Sequence, residues 1–287
     1  MFEKEIKKAV TFILLQQKEN GSFNHESISA ISANPTFTYT STFPSSLITL
    51  ALKDVKYLPQ VSKIIKKSAD FLKSQNSNNF SFNYWDRNSQ NYNKMSFPDD
   101  LDDTSLALSA LFIADKKFIT GKILAKIISL LTAVEFRVGG PYKTWLVSKE
   151  SAKQWKDVDI AVNANIAYFL HLQGISLPNL ETFFDSKISK YDLLSAYYPN
   201  EYPIIYFLSR FYNGKFKKIL IKKILSLERK LYWENPLYTA LAVSSLINLH
   251  YEGPEIDSAI SYIVKKIKNN SWDAFPFYVD PAIKNFK

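Results

Sequence analysis

The chain has 287 residues, of which 46% are hydrophobic and 22% charged, proportions that exclude disordered and collagen-like classes. Its formal net charge is +9, carried almost wholly by lysine, with arginine only at 87, 137, 210 and 229. The lysines spread along helix faces and no nucleic-acid-binding module is readable, so the charge reads as a solvated basic surface without a nucleic-acid partner.

The complete lack of cysteine removes disulfides, thiolate nucleophiles and cysteine-based zinc sites. His25, His171 and His250 stand far apart with no His-Glu-x-x-His spacing, and no metal site is expected. The first fifteen residues mix Glu3 and Glu5 with lysines and lack the organisation of a signal peptide. No apolar run approaches the roughly 18 residues that cross a bilayer. A cytoplasmic location is expected, with peripheral membrane contact an open alternative.

In chain order, two kinds of helix alternate. Residues 6–17, 61–75, 119–135, 216–229 and 256–268 carry apolar residues three and four apart opposite lysines, the pattern of helices with one buried face. Residues 44–52, 103–114, 160–172, 203–211 and 236–249 are nearly uncharged and rich in small side chains, as in helices buried all round. The alternation recurs about every 35 to 60 residues. Polar turns followed by aromatics close the amphipathic helices: Gln16, Gln17, Gly21, Ser22 and Phe23, then Gln75, Asn78, Asn79, Phe80 and Phe82, and finally Asn269 to Trp272. With seven glycines and no Gly-Ser linker, the pattern predicts one all-α domain over residues 1–287, a single α/α barrel of five to six helix pairs.

Four carboxylates, Asp99, Asp100, Asp102 and Asp103, fall just before one of the uncharged helices. On a continuous helix Asp99, Asp102 and Asp103 would share a face. One or two acids satisfy the amides and dipole of a helix N-terminus. Four exceed that need, and their mutual repulsion predicts that at least one carboxyl keeps its proton near neutrality.

Asp100-Leu101-Asp102-Asp103-Thr104-Ser105 resembles the Asp-x-Asp-Asp-Thr-Ala signature of class II terpene cyclases, the squalene-hopene cyclase and copalyl-diphosphate synthase family. The turns at residues 16–23 and 75–82 resemble that family's Gln-Trp repeats with phenylalanine in place of tryptophan. The resemblance implies that Asp102 protonates a terminal alkene or epoxide of a linear isoprenoid or isoprenoid diphosphate, tuned by Asp100 and Asp103. No cofactor is required, with Mg²⁺ an assistant if the substrate is a diphosphate. Such chemistry needs an acid kept from bulk water and aromatic faces to stabilise cations. Trp85, Tyr92, Trp145, Tyr168, Tyr198, Tyr206 and Tyr238 are the expected walls.

Two further clusters are assigned to the polar end of the pocket. Asp159 and Asn163 align on one helical face beside Asn165. Arg137, Lys143 and Arg210 are the expected diphosphate-binding cations, the two arginines each beside an uncharged helix. Members of the family generally enclose substrate between two barrels, so closure here falls to a homodimer, a membrane surface, or the loops at residues 22–43 and 76–98.

Three other readings stay open. Asp99 to Asp103 also contains Asp-Asp-x-x-Asp, which binds magnesium diphosphate in class I enzymes, although no second metal motif is present. Inverting glycosidases place acids at similar helix N-termini, with a second carboxyl roughly 6.5 to 9.5 Å away. A non-catalytic isoprenoid-binding protein of the same fold is the third.

Overall fold

The computed structural model describes residues 2–28, 36–94, 97–151, 153–230, 232–269 and 275–279. Among them lie twelve α-helices and one two-stranded ribbon. Chain contacts divide them into two compact units, residues 10–158 and residues 2–9 with 159–279, each described by itself below.

The first unit takes the end of α1 (Glu3–Gln16), then α2 (Thr42–Ala51), α3 (Pro59–Gln75), the short α4 (Gln90–Lys94), α5 (Leu101–Ala114) and α6 (Gly121–Val134). Beyond its first turn α5 has no charge, and residues 103–111 are all buried. It packs against α2 and α3. On α3, Val61, Ile64, Ile65, Ala69 and Leu72 turn inward while Lys63, Lys66 and Lys73 stay exposed, and each large apolar side chain contributes about 1.5–3 kcal/mol on burial. The second unit holds α7 (Ile160–Leu172), α8 (Pro178–Ser189), α9 (Glu201–Ser209), α10 (Lys217–Ser226), α11 (Pro236–Asn248) and α12 (Glu255–Lys268). There α9 packs against both α7 and α11, and α12 packs on α11.

The all-α class and the alternation hold: α2, α5, α7, α9 and α11 are the buried helices, and α1, α3, α6, α8, α10 and α12 the amphipathic ones. Two elements were not anticipated. Helix α8 buries Leu180, Phe184 and Ile188, a four-residue repeat behind Pro178. The segment expected as a polar loop at residues 22–43 contains an antiparallel ribbon of β1 (Asn24–Ile28) and β2 (Thr36–Thr40), with His25 opposite Tyr39. Residues 29–35 and 95–96 of the two expected closing loops, and residues 270–272 of the last aromatic turn, lie outside the described residues.

The turns ahead of α2, α5 and α11 share one device. A backbone N–H of an aromatic residue donates to the hydroxyl four positions past the helix N-cap: Phe23 to Ser45 (3.3 Å), Phe82 to Thr104 (2.9 Å) and Trp233 to Thr239 (3.0 Å). Left-handed residues two positions earlier, Gly21 and Phe80, reverse the chain into the first two of these contacts. At Gly21 a Cβ would sit 2.0 Å from the Lys67 carbonyl oxygen, so no other residue fits. The side-chain amide of Gln17 donates to the carbonyls of Gly21 and Ile64 and to the Ser68 hydroxyl, which ties the first turn to α3.

Candidate active site

The helix that carries the acids begins at Leu101, one residue after its N-cap. Asp100 has extended backbone and accepts the Asp103 N–H through Oδ1 at 2.8 Å. Two flanking segments hold it there: its N–H donates to the Phe82 carbonyl, and the Leu101 N–H donates to Thr144. Asp102 and Asp103 therefore occupy the first helical turn, whereas Asp99 precedes the helix. The expectation that Asp99 shares their face is corrected for that reason. Asp99 is taken up by other partners: Arg87 Nη2 at 2.9 and 2.7 Å, Ser81 Oγ at 2.5 Å and Asn83 Nδ2 at 3.1 Å. Arg87 is fixed in turn by the Gln75 carbonyl and the Tyr92 hydroxyl.

Asp100 and Asp103 are both buried, while Asp102 is half-buried. Asp103 also accepts from Thr42 Oγ1 at 2.9 Å, and the same hydroxyl reaches the Asn83 carbonyl at 3.0 Å. Burial is the main force on both carboxyls, pushing Asp100 well above the ordinary range and Asp103 up to about 7. The negative charges of their neighbours, Asp102 included, push in the same direction. Two carboxyls that touch in a dry place cannot both be ionised cheaply, so the pair shares a proton at neutrality.

Around this centre runs a row of rings within the same unit. Trp85 pairs with Ser41 and Trp145 with Asp100 through isolated β-bridges. Phe97 lies 6.0 Å from Trp85, 6.1 Å from Trp145 and 6.1 Å from Trp155, and Tyr39 lies 5.0 Å from Trp85. His25 packs edge-on against Tyr39 at 3.8 Å, and the Tyr39 and Tyr84 hydroxyls are 2.7 Å apart. Burial lowers the His25 pKa to about 4, so the ring is neutral at physiological pH. Lys143 is half-buried, and Arg137 is exposed in the turn between α6 and Tyr142. Among the described residues no three His, Cys, Asp or Glu side chains group as metal ligands.

The remaining expected residues belong to the second unit. Asp159 caps α7 at Ala161 and Val162 and accepts from Ser195 Oγ (2.7 Å) and the Ala196 N–H (2.9 Å), while the Asn163 amide donates to the Asp159 carbonyl. The Arg210 guanidinium donates to Asn165 Oδ1 and the Phe207 carbonyl and lies over Tyr168 (4.1 Å), Phe207 (4.8 Å) and Tyr206 (5.5 Å). Tyr198 packs edge-on against Phe207, and Tyr238 stacks on Tyr202 at 4.8 Å while donating to the Pro276 carbonyl. The sequence reading missed Arg87, Thr42, Ser81 and Asn83. For Arg87 the scarcity of arginine was an available signal; the hydroxyls and the amide carried none.

The elements make an all-α fold in which buried and amphipathic helices alternate. Solved structures agree. The type II terpene cyclase MstE from Scytonema, in its apo form, matches with a TM-score of 0.64 at 14% identity over 92% of this chain and 78% of that one. An apo variant of the same cyclase matches with a TM-score of 0.68 at 13% identity over 93% and 77%. No protein-family model matches the sequence, and no curated protein does.

Proposed function

We propose that the protein is a protonation-initiated terpene cyclase acting on a linear isoprenoid or isoprenoid diphosphate, with Asp102 as the general acid. The observation that carries this reading is the buried Asp100 and Asp103 pair, which keeps a proton at neutral pH on either side of a third carboxyl that is only half-buried. The fold shared with type II cyclases supports it. In the first step the proton that the Asp100–Asp103 pair retains is relayed to Asp102 and passes from it to the terminal alkene carbon. The alkene π pair forms the new C–H bond and leaves a cation on the adjacent carbon. The next alkene closes a ring onto that cation, and the last cation is discharged by proton loss or water capture. The carboxylate left on Asp102 sits in the first turn of α5, where the helix dipole favours negative charge, and partial exposure lets solvent return the proton.

Asp99 has a different part. Bound by Arg87, Ser81 and Asn83, it anchors the segment ahead of the helix, which leaves little freedom for it to ligate a metal as class I chemistry requires. Aromatic faces in the unit, Trp85 and Trp145 among them, are suited to stabilising cations by about 0.5–2 kcal/mol each. Either Lys143 or Arg210 would hold a diphosphate, with Mg²⁺ assisting there and not in protonation.

The test is incubation of wild-type protein and Asp102→Asn with linear isoprenoids and their diphosphates, read by mass spectrometry. Wild type should give cyclic isomers or their hydrates, and the variant should lose about two to four orders of magnitude in turnover with a melting temperature no lower than that of wild type. Wild-type turnover in the variant refutes Asp102 as the acid. No cyclic product from any substrate in the panel refutes the cyclase.

A further inference from the structure

The chain holds two Asn-Gly pairs, Asn20-Gly21 and Asn213-Gly214. In such a pair no Cβ shields the glycine nitrogen, so that nitrogen can reach the asparagine side-chain carbonyl carbon and close a five-membered ring. Both asparagines are exposed, yet the fold constrains the two pairs differently. At the first pair the groups that ring closure needs are engaged. The Gly21 N–H donates to the Lys18 carbonyl at 3.0 Å. Asn20 Oδ1 accepts from the Ser22 N–H at 3.1 Å and from Ser22 Oγ at 2.7 Å. Gly21 is itself buried against Lys67 of α3, so closure would break these bonds where the chain has no room to move.

At the second pair those constraints are missing. Asn213 lies in the connection between α9 and α10, and among the described residues neither its side chain nor the Gly214 N–H has a hydrogen-bond partner. The glycine is set by its neighbour, since a Cβ at 214 would lie 2.6 Å from Tyr212 Cζ and Oη. Tyr212 is buried, donates its hydroxyl to Asp185 on α8 and accepts the Phe216 N–H at 3.3 Å. The turn thus demands the one residue type that leaves the nitrogen at 214 unshielded. Lys215, Lys217 and Lys218 follow directly, and their positive charge favours the deprotonated nitrogen that attacks.

We propose that Asn213 is a deamidation site, where reaction with water converts the asparagine to aspartate and isoaspartate while Asn20 is spared. The Gly214 nitrogen gives its proton to hydroxide, bonds to Asn213 Cγ and expels the side-chain nitrogen, which takes a proton from water and leaves as ammonia. Water then opens the resulting succinimide. Cleavage of the bond to Cγ gives aspartate, and cleavage of the bond to the main-chain carbonyl carbon gives isoaspartate. The net reaction consumes one water and releases one ammonia, with no oxidant or reductant. Either product places a new negative charge two residues from Lys215, whose Nζ is 3.5 Å from Asp185. Isoaspartate also adds a methylene to the main chain ahead of Gly214, which displaces that residue from the Tyr212 ring and loosens the contact of this connection with α8.

The test is incubation of purified protein at mildly alkaline pH and physiological temperature, with tryptic peptides followed by mass spectrometry. The peptide of residues 211–215 should gain about 1 Da in a growing fraction of molecules, faster as pH rises. Its rate should exceed that at Asn20 by at least about tenfold, because ring closure depends on the reacting atoms meeting. In concentrated urea the two pairs should react at comparable rates, since folding alone separates them. A protein-isoaspartyl methyltransferase with a radiolabelled methyl donor should label the 211–215 peptide of aged wild type. The same peptide of aged Asn213→Gln, whose longer side chain closes a six-membered ring slowly, should stay unlabelled. The proposal is overturned if the peptide keeps its mass in the folded protein, or if Asn20 reacts there as fast as Asn213. It is equally overturned if the methyl label is absent from that peptide of aged wild type, or enters Asn213→Gln to the same extent.

Discussion

Replacing Asp103 with asparagine should stabilise the fold, and increasingly so as pH rises. In the unfolded chain an aspartate ionises near its ordinary value of 3.8, whereas burial and its acidic neighbours lift Asp103 to about 7 in the native state. Between those values the native state binds more protons than the unfolded one, so stability falls with rising pH by about 1.36 kcal/mol per unit. Across the window of about three units the ceiling is about 4 kcal/mol. Asp100 shares the proton and is lifted as well, so part of that sum belongs to the pair. Asparagine keeps the acceptor for Thr42 Oγ1 and can donate to Asp100, replacing the shared proton with an N–H. The stability difference between variant and wild type should be near zero at pH 4, grow to about 2–4 kcal/mol by pH 7 to 8, and level off above. Urea denaturation at a series of pH values measures it. A pH-independent difference, or an asparagine variant less stable than wild type at pH 8, would refute the shared-proton account.

Arg87→Ala should cost about 2 kcal/mol, because Asp99 would keep Ser81 and Asn83 but lose the cation that reaches both its oxygens. The double variant with Asp99→Asn should cost less than the sum of the singles in urea denaturation, and strict additivity would show that the pair is not coupled. His25, lowered to about 4 by burial, should remain neutral at pH 5.5 in an imidazole proton NMR titration. Stability should accordingly fall as pH drops from 6.5 towards 4, since the unfolded chain takes up a proton first, by at most about 3 kcal/mol. A titration midpoint near 6.5 would place the ring in water.

The alternation of helices was readable because burial all round removes charge from a sequence, and α2, α5, α7, α9 and α11 show it beyond their first turns. Helix α8 escaped because its buried stripe is only Leu180, Phe184 and Ile188 and its other positions are polar. The ribbon escaped although Thr36 to Thr40 alternates hydroxyl and aromatic residues, since five-residue strands carry a weak periodic signal. The acid cluster was visible as composition, but its internal division was not. Capping at Asp100 starts the helix at Leu101, two residues past Asp99, and the partner that claims Asp99 lies twelve residues earlier, brought there by a turn with no period of its own.

Two buried aspartates at helix starts show what distinguishes a site from a scaffold. Both Asp100 and Asp159 cap an uncharged helix, and burial raises both. Around Asp159 four donors converge, the N–H groups of Ala161, Val162 and Ala196 and the Ser195 hydroxyl, and each opposes the effect of burial. That carboxylate is a fully bonded strap between α7 and the segment before α9. Around Asp100 the Asp103 N–H is matched against two further carboxyls in the same turn, and electrostatic strain is left in place. A capping aspartate is sufficient to start a buried helix, as Asp159 demonstrates, and Asn200 and Asn235 do the same without charge. The extra acids at 102 and 103 therefore cannot be ascribed to helix formation. In the proposed reading, that cost goes to holding a proton beside a half-buried carboxyl.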